Sequence, residues 1–405
     1  MPRSRVDSSI PRVEMEGFAF PLGVYPIDPV HPKPGYTITF EPADGGGEGE
    51  SGAAKGWGIG GMGGGAGAGS EREPGDGPDA AAEEGGIAEP EEQAQPGEWE
   101  EWPDRYVYDI LVPATRVEAL CRSLFALLPG RIFPILDVLG QDEFRELDPY
   151  VSYDLIGIER FLDAIRRYSG FFYEDGLVGF GAMSDEPFIY ILVDEHKIVT
   201  VRAETSLREK VEAVLAAFDL EEITELTGAD AATHEHRSVL DTPEDRRDLL
   251  NAEEIVEELR DEWRLVLNVD PDTNVNDEGA ELGMTGWRCI IRHDWELSPE
   301  EVVASKAVVA KGGKPTIGRY AEVYLTAESF REAEDLAVRQ VKKMLPAALV
   351  EKWEEDEDAP DVPLIVAADR LTEEHFLEDV KQAGGGVADM NKSRVWSAAW
   401  QPMDA

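Results

Sequence analysis

The chain has 405 residues, 42% of them hydrophobic, and a formal net charge of −46 at pH 7. Such a length and hydrophobic content allow two folded domains, each with its own core. The negative charge argues against binding to nucleic acid through phosphate contacts, which needs clustered Lys and Arg, and against anionic membrane surfaces. We therefore expect no nucleic-acid partner and no membrane. The negative charge has three interpretations: it keeps the protein soluble, it suits a high-salt cytoplasm, or it presents an acidic face to a basic protein partner.

Residues 1–42 are predicted to form an extended N-terminal segment. In the stretch YTITF, Tyr36, Ile38 and Phe40 alternate with threonines, a pattern typical of a strand with one apolar face. Because an isolated strand with three large apolar side chains needs a surface to cover it, we expect this segment to pair with the sheet of the first domain.

Residues 43–100 are composed mostly of Gly, Ala, Glu, Pro and Asp, with 14 acidic and 2 basic residues. This composition buries too little apolar surface to offset the entropy of ordering the chain, so we predict a disordered acidic Gly-rich linker. Gly56, Gly58 and Gly61 have the spacing of a dinucleotide-binding motif. The motif requires a strand before it and a helix after it, and neither is predicted here.

Residues 101–228 are predicted to form a first α+β domain. The stretch RYVYDILVP (105–113) indicates a strand, and apolar residues at spacings of three and four predict a helix over 115–128. PFIYILV and KIVTVRA indicate two strands joined across DEHK. A polar linker at 229–250 and a second α+β domain at 251–405 follow. The predicted fold class is α+β, with two α/β-sandwich-like domains whose sheets are mixed or antiparallel.

The stretch DPDTNVNDEGAE (270–281) has the ligand spacing of a twelve-residue calcium loop. The oxygen-bearing residues at the ligand positions are Asp270, Asp272, Asn274, Asn276, Glu278 and Glu281. Position 6 of the loop is Val275, where the sharp turn normally requires glycine. Calcium binding is one interpretation of this stretch, and a polar loop between two strands is the other.

Two histidine-containing motifs are further candidates. His234 and His236 form an H-x-H pair, whose rings would share one face of a strand and could bind a zinc ion. A third ligand would have to come from Asp241 or from a histidine distant in sequence; the alternative is two solvated histidines in a linker. Asp194, Glu195 and His196 are predicted at a hairpin turn, where they serve acid–base chemistry or simply supply polar turn residues.

The cysteines Cys121 and Cys289 lie in apolar stretches and form no C-x-x-C motif. Neither a signal-peptide pattern nor an apolar run of about 18 residues is present, so a cytoplasmic location is expected.

No complete catalytic set is recognisable. The expected function is that of a non-enzymatic acidic interaction protein, an adaptor or immunity-like module that binds a protein partner, without a cofactor. The alternative is a metal-dependent enzyme or a calcium-binding module whose ligands converge from separate loops.

Overall fold

The computed structural model describes residues 4–43, 102–242, 246, 249–296, 316–345, 363–386 and 389–401. The disordered linker expected at 43–100 lies outside these ranges except for its first residue. The described residues form an α+β structure with antiparallel sheets, which confirms the predicted fold class. None of the helices in these ranges is both long and apolar enough to cross a bilayer.

The strands, in chain order, are β1 (Glu14–Met15), β2 (Phe18–Ala19), β3 (Val24–Pro26), β4 (Gly35–Glu41), β5 (Arg105–Leu111), β6 (Arg131–Leu139), β7 (Leu147–Val151), β8 (Ile156–Gly157), β9 (Val178–Asp185), β10 (Phe188–Val193), β11 (Val199–Glu204), β12 (His234–His236), β13 (Val266–Leu267), β14 (Thr285–Glu296), β15 (Thr316–Ala327), β16 (Leu364–Leu371) and β17 (Arg394–Trp400). The helices are α1 (Ala114–Phe125), α2 (Ile158–Arg167), α3 (Ser169–Glu174), α4 (Arg208–Ala217), α5 (Ala252–Trp263), α6 (Phe330–Met344) and α7 (Glu373–Gln382).

The larger sheet has the strand order β13-β7-β6-β9-β10-β11-β5-β4, with β8 paired to β6. Strand β4 pairs with β5 along seven residues, and the alternating side chains of Tyr36 and Ile38 pack against the main core. Strand β10 is buried on both faces: Ile189 and Ile191 join the core formed with the helices, while Phe188 and Tyr190 pack in a smaller cluster on the opposite face. This arrangement makes the β10–β11 hairpin a rigid support for the turn at its end.

Helix α5 belongs to the main core, which the larger sheet forms with its helices. It begins at a capping box in which Asn251 and Glu254 form reciprocal hydrogen bonds. Its apolar residues, including Leu259 and Trp263, are buried in that core. Strand β13 likewise pairs with β7 of the larger sheet. The first strand of the smaller sheet, β14, begins at Thr285.

The smaller sheet has the order β16-β14-β15-β17. Helix α6 packs on it through Ala333, Ala337 and Val341, whose small side chains bring the helix close to the strands. The two sheets are joined by the buried ion pair of Arg370 and Asp142, with 3.0 Å between Nε and Oδ2.

The N-terminal residues and the stretch after residue 229 pack together on the larger sheet, in a hydrophobic cluster that includes Val24, Ala229 and Leu111 of β5. Strand β3 pairs with β12 in a two-stranded antiparallel sheet, which we call the ribbon; His234 lies opposite Pro26, and His236 opposite Val24. Gly23 meets Gly176 so closely that a Cβ on Gly23 would lie 2.0 Å from the Gly176 backbone nitrogen. The ribbon is thereby packed directly against the turn between α3 and β9.

Candidate metal site

Three of the six histidines converge where the ribbon meets the larger sheet. His196 comes from the turn between β10 and β11, and His234 and His236 come from β12. The Nε2 atom of His234 lies 2.9 Å from Nε2 of His196 and 3.0 Å from Nε2 of His236. The three ring centroids are 4.7 to 4.9 Å apart. We call these residues the three-His cluster.

Local structure explains how each ring reaches the cluster. His234 and His236 are two residues apart on a strand, so their side chains project from the same face. His196 lies in a tight turn, in which the Asp194 carboxylate accepts a 2.7 Å hydrogen bond from the Ile198 backbone nitrogen. The following Lys197 has a φ of 66°, a left-handed conformation that closes the turn.

The Nδ1 atoms of the two ribbon histidines bond to backbone carbonyl oxygens. Nδ1 of His234 donates to the Ala232 oxygen and Nδ1 of His236 to the Gly176 oxygen, each at 2.7 Å. Because a carbonyl oxygen only accepts hydrogen bonds, the proton of each neutral ring must reside on Nδ1, and Nε2 carries a lone pair. Metal-binding histidines typically have this arrangement, with one nitrogen fixed by a hydrogen bond and the other free for the ion.

The facing Nε2 atoms cannot satisfy each other. Two neutral rings protonated on Nδ1 present lone pairs to each other across 3.0 Å, which is repulsive, and a proton placed between them would require an imidazolium. Burial, together with the neighbouring His196, lowers the pKa of His236 to about 4 and opposes that charge. A metal cation bound by all three lone pairs removes the repulsion.

The nitrogen separations fit zinc. With Zn–N distances of about 2.0–2.1 Å and tetrahedral angles, two ligand nitrogens lie about 3.3 Å apart. The observed Nε2 separations of 2.9 and 3.0 Å reach that value with shifts of a few tenths of an ångström, which ordinary side-chain rotation supplies.

Two carboxylates face the opposite edge of His196. Its Nδ1 lies 3.3 Å from Oε1 of Glu195 and 3.6 Å from Oδ2 of Asp194. Burial would lower the pKa of His196, but these carboxylates outweigh it and raise that pKa. Acidic partners of this kind hold a ligand ring in place and make it a stronger donor to a metal.

The cluster supplies three protein ligands. All three side chains are partly exposed, so an ion can reach them from solvent. Within the described residues, no Cys, Asp or Glu joins these three rings as a fourth ligand. Asp241, the other third ligand considered from sequence, instead forms an ion pair with Arg5.

The residues at 270–281 are arranged differently. Asp270 accepts a hydrogen bond from the backbone nitrogen of Asp272 at 3.0 Å, and Asp272 itself pairs with Arg331 at 2.9 Å. The side chain of Glu281 is exposed. Among the described residues, these three carboxylates do not form a group of close ligand atoms.

The two asparagines of that loop serve its internal structure. Asn274 is buried, and its amide nitrogen donates to the Gly283 oxygen at 2.6 Å and to Thr285 Oγ1 at 2.9 Å. Its amide oxygen accepts from Arg370. The Asn276 oxygen accepts from the backbone nitrogen two residues ahead at 3.1 Å. These hydrogen bonds are those of a folded polar loop, and calcium binding at 270–281 stays a prediction.

Comparisons with protein families, with characterised proteins and with solved structures find no match to this chain. The candidate site therefore rests on its own geometry. The sequence pattern indicates His234 and His236 as a pair and His196 as a turn residue, but it does not join them. The sequence feature that indicates the position of His196 is the short polar loop DEHK, which places it in the turn between β10 and β11.

Proposed function

We propose that this chain is a metal-binding protein that holds one divalent ion, with zinc as the leading candidate, at His196, His234 and His236. The observation that carries the proposal is the pair of Nδ1-to-carbonyl hydrogen bonds. They leave a lone pair on each of the two Nε2 atoms, which lie 3.0 Å apart, and this is the state that a metal ligand requires.

A site with three histidine ligands leaves one coordination position for water or a small ligand. Structural zinc sites usually have four protein ligands, whereas catalytic sites commonly have three and an open position. A water molecule bound there would ionise near neutral pH and serve as a nucleophile. The proposed function is therefore metal binding with one exchangeable position, the arrangement used by zinc hydrolases.

The test is metal binding by protein that has first been stripped with EDTA. Zinc titrated calorimetrically at pH 7.5 should bind with a stoichiometry of one. Zinc at about 100 times its Kd should stabilise the fold by about 2.7 kcal/mol, a rise in melting temperature of about 5–10 °C. Calcium should give neither signal.

His196→Ala should abolish the stoichiometric zinc, and His375→Ala is the matched control. His375 is an exposed histidine that pairs with Glu143 in another part of the molecule. Equal zinc binding by wild type and His196→Ala would contradict the site. A melting temperature that rises with calcium and not with zinc would favour the loop at 270–281.

Cobalt tests the open position, because Co²⁺ replaces Zn²⁺ in such sites and has a visible spectrum that reports its coordination. Adding azide to the cobalt form should change that spectrum as the anion displaces water. A spectrum that does not respond to azide would indicate a site closed by a fourth protein ligand.

A second candidate function is binding of a basic protein partner. The net charge of −46 favours it, since oppositely charged surfaces attract each other at long range. A pull-down whose yield falls steeply with salt would support such a partner, and salt-independent binding would contradict the electrostatic basis.

We propose the cytoplasm as the location, because Cys121 and Cys289 are free and buried thiols, which suit a reducing compartment.

A further inference from the structure

We infer that metal binding at the three-His cluster fastens the N-terminal segment, residues 4–30, to the larger sheet, so that metal occupancy controls how firmly this segment is held. The inference rests on the proposed metal site and extends it to a structural consequence. Its basis is the way in which the ligands are distributed between two parts of the molecule.

The three ligands come from both sides of a packing boundary. His196 belongs to a hairpin of the larger sheet, whereas His234 and His236 belong to the ribbon. Within the described residues, strand β12 pairs with β3 alone and with no strand of the larger sheet. An ion bound by all three rings therefore links the ribbon to the sheet directly.

Strand β3 transmits this link to the N-terminal segment. Three residues of β3 pair with the three residues of β12. The adjoining Gly23 accepts a hydrogen bond from the Arg237 backbone nitrogen at 2.9 Å and donates one to the Glu174 oxygen at 2.7 Å. Fixing β12 consequently fixes the strand that runs beside it.

The segment also touches the body through a buried hydrophobic cluster, in which Phe18, Phe20 and Val24 pack with Leu111 of β5, and through partly exposed ion pairs. Arg12 forms a two-pronged ion pair with Glu174, at 2.7 and 3.0 Å, with both side chains about a quarter exposed. Arg5 pairs with Asp241 at a more exposed position. Ion pairs with this exposure contribute little to stability, so a metal ion would add a polar link of its own to the attachment that the hydrophobic cluster provides.

Strand β4 provides an internal reference within the same stretch of chain. It follows the N-terminal segment but pairs with β5 along seven residues of the larger sheet, independently of the histidines. Removing the metal should therefore loosen residues 4–30 and leave β4 in place. The boundary between the two behaviours is predicted to fall between Pro26 and Gly35.

Linkage makes the effect reciprocal. The Nε2 atoms of His196 and His234 face each other across the boundary at 2.9 Å, and a metal bound by both would hold the ribbon to the sheet. Whatever free energy metal binding adds to ribbon docking, docking must add to metal binding.

Hydrogen exchange measured by mass spectrometry on the full chain tests the inference. We compare wild-type protein in EDTA with the same protein carrying one equivalent of zinc. Amides in peptides covering residues 13–27 and 232–240 should exchange about tenfold more slowly with zinc. Peptides covering 35–41 and 105–111 should exchange equally in both conditions.

His196→Ala serves as the matched variant, because it retains the ribbon histidines but removes the link to the sheet. Its exchange in 13–27 should be the same with and without zinc. If zinc binds stoichiometrically to wild-type protein and exchange in 13–27 is unchanged, the inference is overturned while the metal site stands. If zinc does not bind, both are overturned.

Discussion

The loop at 270–281 and the three-His cluster differ in how their polar atoms are used. In the loop, residues with metal-binding oxygens follow one another in sequence, yet their side chains already have protein partners. Asp272 forms an ion pair with Arg331, and Asn274 donates a hydrogen bond to the Gly283 oxygen. In the cluster, ligands 38 residues apart meet with Nε2 atoms 2.9 Å apart. For this reason the proposed metal site is the cluster, where Nε2 atoms converge, and not the loop, where only the spacing in sequence resembles a metal site.

The largest expected effect comes from exchanging one side chain in each region. His234→Ala should weaken zinc binding by about 100-fold or more, since loss of an outer-shell partner alone costs 10–100-fold. Asp272→Ala, which removes an exposed ion pair, should leave zinc binding unchanged. Calorimetric titration of both variants checks this prediction. A comparable loss of zinc affinity in the two variants would contradict the assignment of the metal site to the three-His cluster.

The structural role of the loop gives the second prediction. Asn274→Ala removes three hydrogen bonds at a buried position and leaves Arg370 without one of its acceptors. We expect the free energy of unfolding to fall by about 2 kcal/mol. Denaturant unfolding measures it, and the zinc Kd should be unaffected. A variant as stable as wild type would show that the loop does not depend on this side chain.

The third prediction alters the support of the cluster without changing a ligand. Gly23→Ala places a methyl group against the Gly176 backbone and should displace the ribbon, weakening zinc binding about tenfold by loss of ligand alignment. Gly130→Ala is the control, because a Cβ there meets no atom within 4 Å. Unchanged zinc affinity in Gly23→Ala would mean that the cluster tolerates movement of its strand.

The pH dependence is the smallest expected effect. Despite burial, the neighbouring carboxylates raise the pKa of His196, so a proton competes for its Nε2 as pH falls through that pKa. His236, with its pKa lowered to about 4, remains neutral over this range. Zinc affinity should therefore fall about tenfold from pH 7.5 to pH 5.5. A Kd that does not change with pH would argue against imidazole ligands.

Much of the fold follows from periodicity in the sequence. Alternation in YTITF indicates strand β4, and apolar residues spaced three and four apart indicate helix α1, which buries Val117, Leu120 and Leu124. Periodicity does not specify which core an apolar stripe joins. Helix α5 illustrates this limit, because Trp263 stacks on Phe172 in the core of the larger sheet. The two ring centroids are 5.8 Å apart.

The candidate site was only partly predictable for a related reason. That His234 and His236 share one face follows from their spacing on a strand. Their meeting with His196 depends on the contact between Gly23 and Gly176, which brings together segments more than 150 residues apart. Such a contact leaves no periodic signal, so the third ligand becomes recognisable only in three dimensions.

The most direct test of the central claim is anomalous diffraction at the zinc absorption edge, from crystals of the full chain prepared with one equivalent of zinc. We predict a single strong peak about 2.0–2.1 Å from each of the three Nε2 atoms of His196, His234 and His236. Crystals that contain zinc but give no peak among these rings would contradict it.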